Sequence, residues 1–137
     1  MKKIFMWHCL FMFALTSIAQ NLESNWQLHT EKNGVMFYSK SIESAKPNVQ
    51  YLGVKIKNIN SYAVTISWTY HLWFNGNCRN CNINDESGFY KKIVQVPANS
   101  DITLDYSVPD EKGLKIYSRF ENTYLSNFEF GNLTIIK

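Results

Sequence analysis

Tyr62-Ala63-Val64-Thr65-Ile66-Ser67-Trp68-Thr69-Tyr70-His71-Leu72-Trp73-Phe74 alternates almost without a break between two kinds of side chain. Laid out as an extended chain, Val64, Ile66, Trp68, Tyr70, Leu72 and Phe74 share one face. Thr65, Ser67, Thr69, His71 and Trp73 share the other. A helix would scatter the apolar residues around its circumference, whereas a strand gathers every second residue on one side. The stretch therefore predicts a β-strand with one buried face. Its length exceeds the usual strand of about five or six residues, so a bulge or bend near Thr69 is expected.

The segment before it follows the same logic. Leu52, Val54 and Ile56 face one way, and Tyr51, Lys55 and Lys57 the other. Asn58-Ile59-Asn60-Ser61 has turn chemistry, because Asn and Ser side chains bond to nearby backbone. The two runs are accordingly expected to pair antiparallel. Nearer the start, Trp26 to Lys32 and Val35 to Lys40 flank Asn33-Gly34, a two-residue hairpin signal. Further strands are predicted at Tyr90 to Val96, Ile102 to Tyr106, Leu114 to Phe120 and Asn127 to Ile136, with turns at Pro97 to Ser100 and Pro109 to Gly113. No segment sustains a 3.6-residue apolar period. About eight strands in one domain predict an all-β fold, an antiparallel immunoglobulin-like β-sandwich, with a closed barrel as the alternative. The inter-sheet cysteine pair of immunoglobulin domains has no counterpart. The core is expected to rest on Trp68, Phe74, Leu104, Ile116 and their neighbours.

The first residues read as an export signal. Met1-Lys2-Lys3 is a basic start, Ile4 to Leu15 is mostly apolar, and Thr16-Ser17-Ile18-Ala19 places small residues before Gln20. This is the three-part layout of a secretory signal peptide over residues 1–19, leaving one domain at 20–137. The apolar run is too short for a membrane helix, which needs about 20 such residues. Met6-Trp7-His8 ahead of Cys9 do not fit a lipidation site. Loss of Lys2 and Lys3 takes the net charge from +3 to +1, with 12 basic residues against 11 acidic. The precursor's basicity is thus partly an export feature, and no nucleic-acid partner is inferred from it. The expected location is periplasmic or secreted, with no transmembrane segment in the mature chain.

Export also removes Cys9 and leaves Cys78 and Cys81, inside the polar stretch Asn75 to Gly88. A disulfide fastening this loop is the favoured reading in an oxidising compartment. Closing a four-residue ring contributes about 2 kcal/mol by the loop-entropy relation, before any strain. A dithiol redox pair is the second reading. Arg79 would favour a thiolate, but no βαβ pattern supplies the usual helix N-terminus. A metal site is the third, but two cysteines leave two zinc positions to fill, and the spacing of His29 and His71 ties neither to this loop. No metal or other cofactor is expected.

Catalytic signatures are absent: there is no nucleophile elbow, phosphate-binding glycine loop or zinc-protease helix. Asp101 and Asp105 share the polar face of one predicted strand, where a solvated surface is the ordinary reading. The Asn132-Leu133-Thr134 sequon is a short match of little weight. More informative is the predicted outer face. His71 and Trp73 lie opposite the core residues of their strand, Tyr51, Lys55 and Lys57 on the matching face of its expected partner, and Tyr117 between Lys115 and Arg119. Exposed aromatics beside polar groups can stack on sugar rings or anchor a protein.

Three phrases carry a resemblance: Lys57-Asn58-Ile59-Asn60-Ser61-Tyr62-Ala63-Val64-Thr65-Ile66-Ser67-Trp68, Leu72-Trp73-Phe74-Asn75-Gly76-Asn77-Cys78-Arg79-Asn80-Cys81, and Leu114-Lys115-Ile116-Tyr117. With the Ala19-Gln20 junction, the chain resembles small secreted bacterial proteins with an immunoglobulin-like sandwich. The likeness spans most of the mature chain and implies a fold but no catalytic residues. The sequence thus leads to a non-enzymatic binding or structural module of the cell envelope, recognising a protein or glycan through Trp73, His71 and Tyr117. The alternative is a periplasmic thiol-redox or metal-binding protein built on Cys78 and Cys81.

Overall fold

A computed structural model describes residues 25–82, 90–105, 109–110 and 112–137. The expected signal segment, residues 1–19, and Tyr106 lie outside the described residues. Among the described residues there are nine antiparallel strands: β1 (Gln27–Lys32), β2 (Val35–Glu43), β3 (Val49–Asn58), β4 (Val64–Phe74), β5 (Asn77–Cys78), β6 (Lys91–Val96), β7 (Ser100–Thr103), β8 (Lys115–Phe120) and β9 (Thr123–Ile136). Among the described residues there is no helix. The all-β, antiparallel expectation holds, and seven of the nine strands lie where alternation predicts them, while β7 starts inside the expected Pro97 to Ser100 turn and meets the expected Ile102 to Tyr106 strand at only two residues. The remaining strand is the two-residue β5.

Hydrogen bonding follows one path, β1-β2-β3-β8-β9-β4-β5, with β6 added on β4 and β7 on β3. This single sheet curls into a half-barrel. Hydrogen bonding thus joins the strands in one continuous path, and β9 makes the connection. Its first residues pair with β8, and the remainder runs along β4. The Asn33-Gly34 hairpin forms as expected, with both residues at positive φ (49° and 72°), as a type I′ turn requires.

The expected β3–β4 pairing does not form. β3 lies between β2 and the β7/β8 edge, whereas β4 lies between β6 and β9. The cause is Asn58. Its Nδ2 donates toward the carbonyls of Tyr62 (2.8 Å), Pro97 (3.0 Å) and Val96 (3.2 Å), and its Oδ1 accepts the Asn60 N–H at 3.0 Å. The Asn60 side chain in turn donates to the Asn33 carbonyl at 2.9 Å. Asn58 to Asn60 is therefore a crossover joint between two parts of the curl, not a hairpin.

The irregularity expected near Thr69 is found, but the extra residue belongs to the partner strand. Between the pairs Ser67–Thr134 and Thr69–Gly131, β9 advances one residue more than β4. Asn132 there has φ 50°. A second shift lies between Trp73–Asn127 and Phe74–Leu125. Each bulge resets the alternation, so Leu125, Phe128, Phe130, Leu133 and Ile135 all pack on the core.

The core joins Val35 and Phe37 of β2, Val54 and Ile56 of β3, Val64, Ile66, Trp68 and Tyr70 of β4, and Val94 and Val96 of β6, with Leu104, Leu114, Ile116 and Phe128. Three of the four expected core anchors, Trp68, Leu104 and Ile116, are buried. Phe74 is only half-buried and has a different role. At the edge, β1 bulges at His29, whose ring stacks on Phe128 with 4.3 Å between centroids. Burial against that ring lowers the His29 pKa below the ordinary value, with the Glu129 carboxylate opposing the shift.

Candidate binding cleft

β6 covers β4 only as far as the pair Thr69–Lys91, yet β4 continues to Phe74. The inward residues of that overhang, Tyr70, Leu72 and Phe74, therefore become one wall of a cleft. Its volume is about 600 Å³, inside the range of roughly 300–1,000 Å³ typical of small-molecule sites. Ile116 and Tyr117 at the start of β8, with Tyr90, Lys92, Asp110, Gly113, Lys115 and Arg79, complete the lining.

Tyr70 closes the floor. Its hydroxyl donates to the Gly113 carbonyl at 2.9 Å, and burial holds its pKa well above the ordinary tyrosine value. It is thus a neutral, fixed structural donor. Asp110 is also committed: its two carboxylate oxygens accept the N–H groups of Leu114 and Lys115, each at 2.8 Å. These bonds shape the 110–115 turn that feeds β8 into the wall.

The cysteine loop forms the remaining edge. Asn75 and Gly76, at φ 49° and 82°, turn β4 back into β5, and Cys78 and Cys81 are joined by a disulfide. Between them, Asn80 is buried and substitutes for a strand: its Oδ1 accepts the Leu72 N–H at 2.9 Å, and its Nδ2 donates to the Tyr70 carbonyl. The Arg79 N–H donates to the Leu72 carbonyl at 2.8 Å. The loop thus satisfies the β4 edge that β6 leaves open, which an exposed strand edge would otherwise offer to any passing chain. It also sets the Arg79 guanidinium over the Phe74 ring, 5.3 Å from its centroid.

The three residues expected to form one binding face do not come together. Tyr117 is 51% exposed, enough to meet a ligand, and it lines the cleft. Its ring lies 5.0 Å from that of Tyr51, its register partner on β3. His71 and Trp73 alternate with Leu72 and Phe74, so they occupy the opposite face of β4. They meet each other edge-on, with 6.4 Å between ring centroids. His71 also covers Gly131, where a Cβ would collide with the imidazole. That close approach gives His71 a packing role. Tyr51, Lys55 and Lys57 do not extend the His71–Trp73 face, because β3 is not the partner of β4. Lys55 instead lies over the rings of Tyr38 and Trp26, at 4.8 and 5.3 Å.

Sequence reasoning missed Arg79, Leu72 and Phe74 as cleft residues. One signal was available, since Asn75-Gly76 is the same hairpin dipeptide as Asn33-Gly34 and marks where β4 must end. Comparison with models of known families, with curated proteins and with solved structures finds no match for this chain.

Proposed function

We propose that this chain is an exported, non-enzymatic binding module of the cell envelope, and that the cleft beside Tyr117 takes a glycan. The observation that carries the reading is the cleft itself: a concave site of about 600 Å³ with Phe74, Tyr90 and Tyr117 in its walls. Aromatic rings offer apolar faces to the C–H surface of a sugar while their polar tips stay wet. A concave site also suits one or a few sugar units better than the broad, flat patch of a protein interface. The single carboxylate in the described lining is engaged by backbone N–H groups, which favours binding over general acid–base chemistry. Export is supported by the layout of residues 1–19 and by the Cys78–Cys81 disulfide. An immunoglobulin-like sandwich is part of the same proposal, supported by the two inward-facing sets of strands that meet in one core.

Binding to an array of envelope glycans tests it. Tyr117→Ala is expected to weaken the best-bound glycan by about tenfold or more, the order of one lost aromatic anchor, with an unchanged circular dichroism spectrum. Trp73→Ala should keep wild-type affinity. Glycan binding that depends on Trp73 and ignores Tyr117 would reject the cleft.

A further inference from the structure

We infer that the cleft selects a saccharide bearing a carboxylate, and that Arg79, fixed by the Cys78–Cys81 ring, reads that group. The inference rests on the cleft being a glycan site. Among the described lining residues, Arg79, Lys92 and Lys115 are cationic and Asp110 is the one acid. Both Asp110 oxygens accept backbone N–H groups, so that acid is held in the turn. Beside the Arg79 guanidinium, low-dielectric walls strengthen the attraction of an anion.

Arg79 has the right chemistry for the contact. Its guanidinium rests on the Phe74 ring face at 5.3 Å. The guanidinium presents a planar fork of N–H donors that matches the two oxygens of a carboxylate. Lys115 also lines the cleft, and its Nζ lies 5.1 Å from the centroid of Tyr51, the register partner of Tyr117.

Arg79 is also preorganised. It lies inside the four-residue disulfide ring, its N–H is bonded to Leu72, and the next residue, Asn80, is locked to Tyr70 and Leu72. A residue tethered on both sides loses less freedom on binding than one on an open loop, which raises affinity without any new contact. This gives the Cys-x-x-Cys spacing a role in recognition: the two enclosed residues are the one that seals the strand edge and the one that faces the ligand.

The test uses a matched pair of probes, oligomers of galacturonic acid and the same oligomers with each carboxyl reduced to an alcohol. Titration calorimetry with the purified protein is expected to show the acidic oligomer binding at least about tenfold tighter, the scale of one charge-assisted bidentate contact. Arg79→Gln should erase that preference, read as the ratio of the two affinities, while Arg79→Lys restores part of it. Unchanged thermal melting of the variants verifies their folding. Equal binding of the two oligomers, or a preference that survives Arg79→Gln, overturns this inference and leaves the glycan cleft standing. Failure of both oligomers to bind overturns the inference and the reading beneath it.

Discussion

Asn58 is fully buried, and every polar atom of its side chain has a partner. Its amide ties the end of β3 to the approach to β4, four residues on, and to the end of β6, almost forty residues on. Removing a buried donor that serves several carbonyls leaves them desolvated and unpaired, at about 1–3 kcal/mol each for those not reached by water. Asn58→Ala is therefore expected to destabilise the domain by about 3 kcal/mol or more, read from the midpoint of urea unfolding. Asn58→Asp should not rescue it, since a carboxylate keeps the acceptor for Asn60 and loses both donors. A loss below about 1 kcal/mol would mean that water replaces the side chain at the joint. At this same residue the sequence is misleading. Asn58-Ile59-Asn60-Ser61 has the composition of a hairpin loop, and the carbonyls that make it a crossover come from residues 96 and 97. Local composition carries no trace of partners almost forty residues away.

At the scale of elements, period-two alternation was enough to locate seven strands, to catch part of β7 and to orient the faces of β4. The buried set Val64, Ile66, Trp68 and Tyr70 is the one alternation predicts. Strand β9 was harder, because Leu125, Phe128, Phe130, Leu133 and Ile135 do not follow one period of two. Two bulges supply the missing phase, and Asn132 at positive φ marks one of them. Two mutations separate the bulge from the residue in it. Asn132→Gly should change stability by no more than about 1 kcal/mol, since glycine adopts positive φ at no steric cost. Deleting Asn132 should turn Leu133 and Ile135 to solvent and cost several kcal/mol, at about 1.5–3 for each aliphatic side chain uncovered. Equal melting temperatures for the deletion and the parent chain would show that the bulge does not set the register.

The whole molecule explains why half of the candidate site was hidden. Which strand ends lie uncovered depends on pairing, and the pairing of β4 with β6 and β9 was not expected. Leu72 and Phe74 therefore read as core, whereas they line a cleft because β6 stops at Lys91. Tyr117 was legible, since alternation along β8 puts it outside beside Lys115. Arg79 was seen only as a neighbour of two cysteines, and its place over Phe74 depends on the Asn75-Gly76 turn and the Asn80 bridge. The central claim is that ligand binds in the cleft at this end of the sheet, between Leu72 and Phe74 inside and Tyr117 at the outer rim, and not on the outer face of β4. Amide chemical-shift mapping during titration with oligogalacturonate tests this most directly. The account predicts the largest shifts at Leu72, Phe74, Arg79 and Tyr117, with Thr65, Ser67 and Thr134 on the outer face unmoved. Shifts concentrated at Thr65, Ser67 and Thr134, with the cleft residues silent, would contradict it.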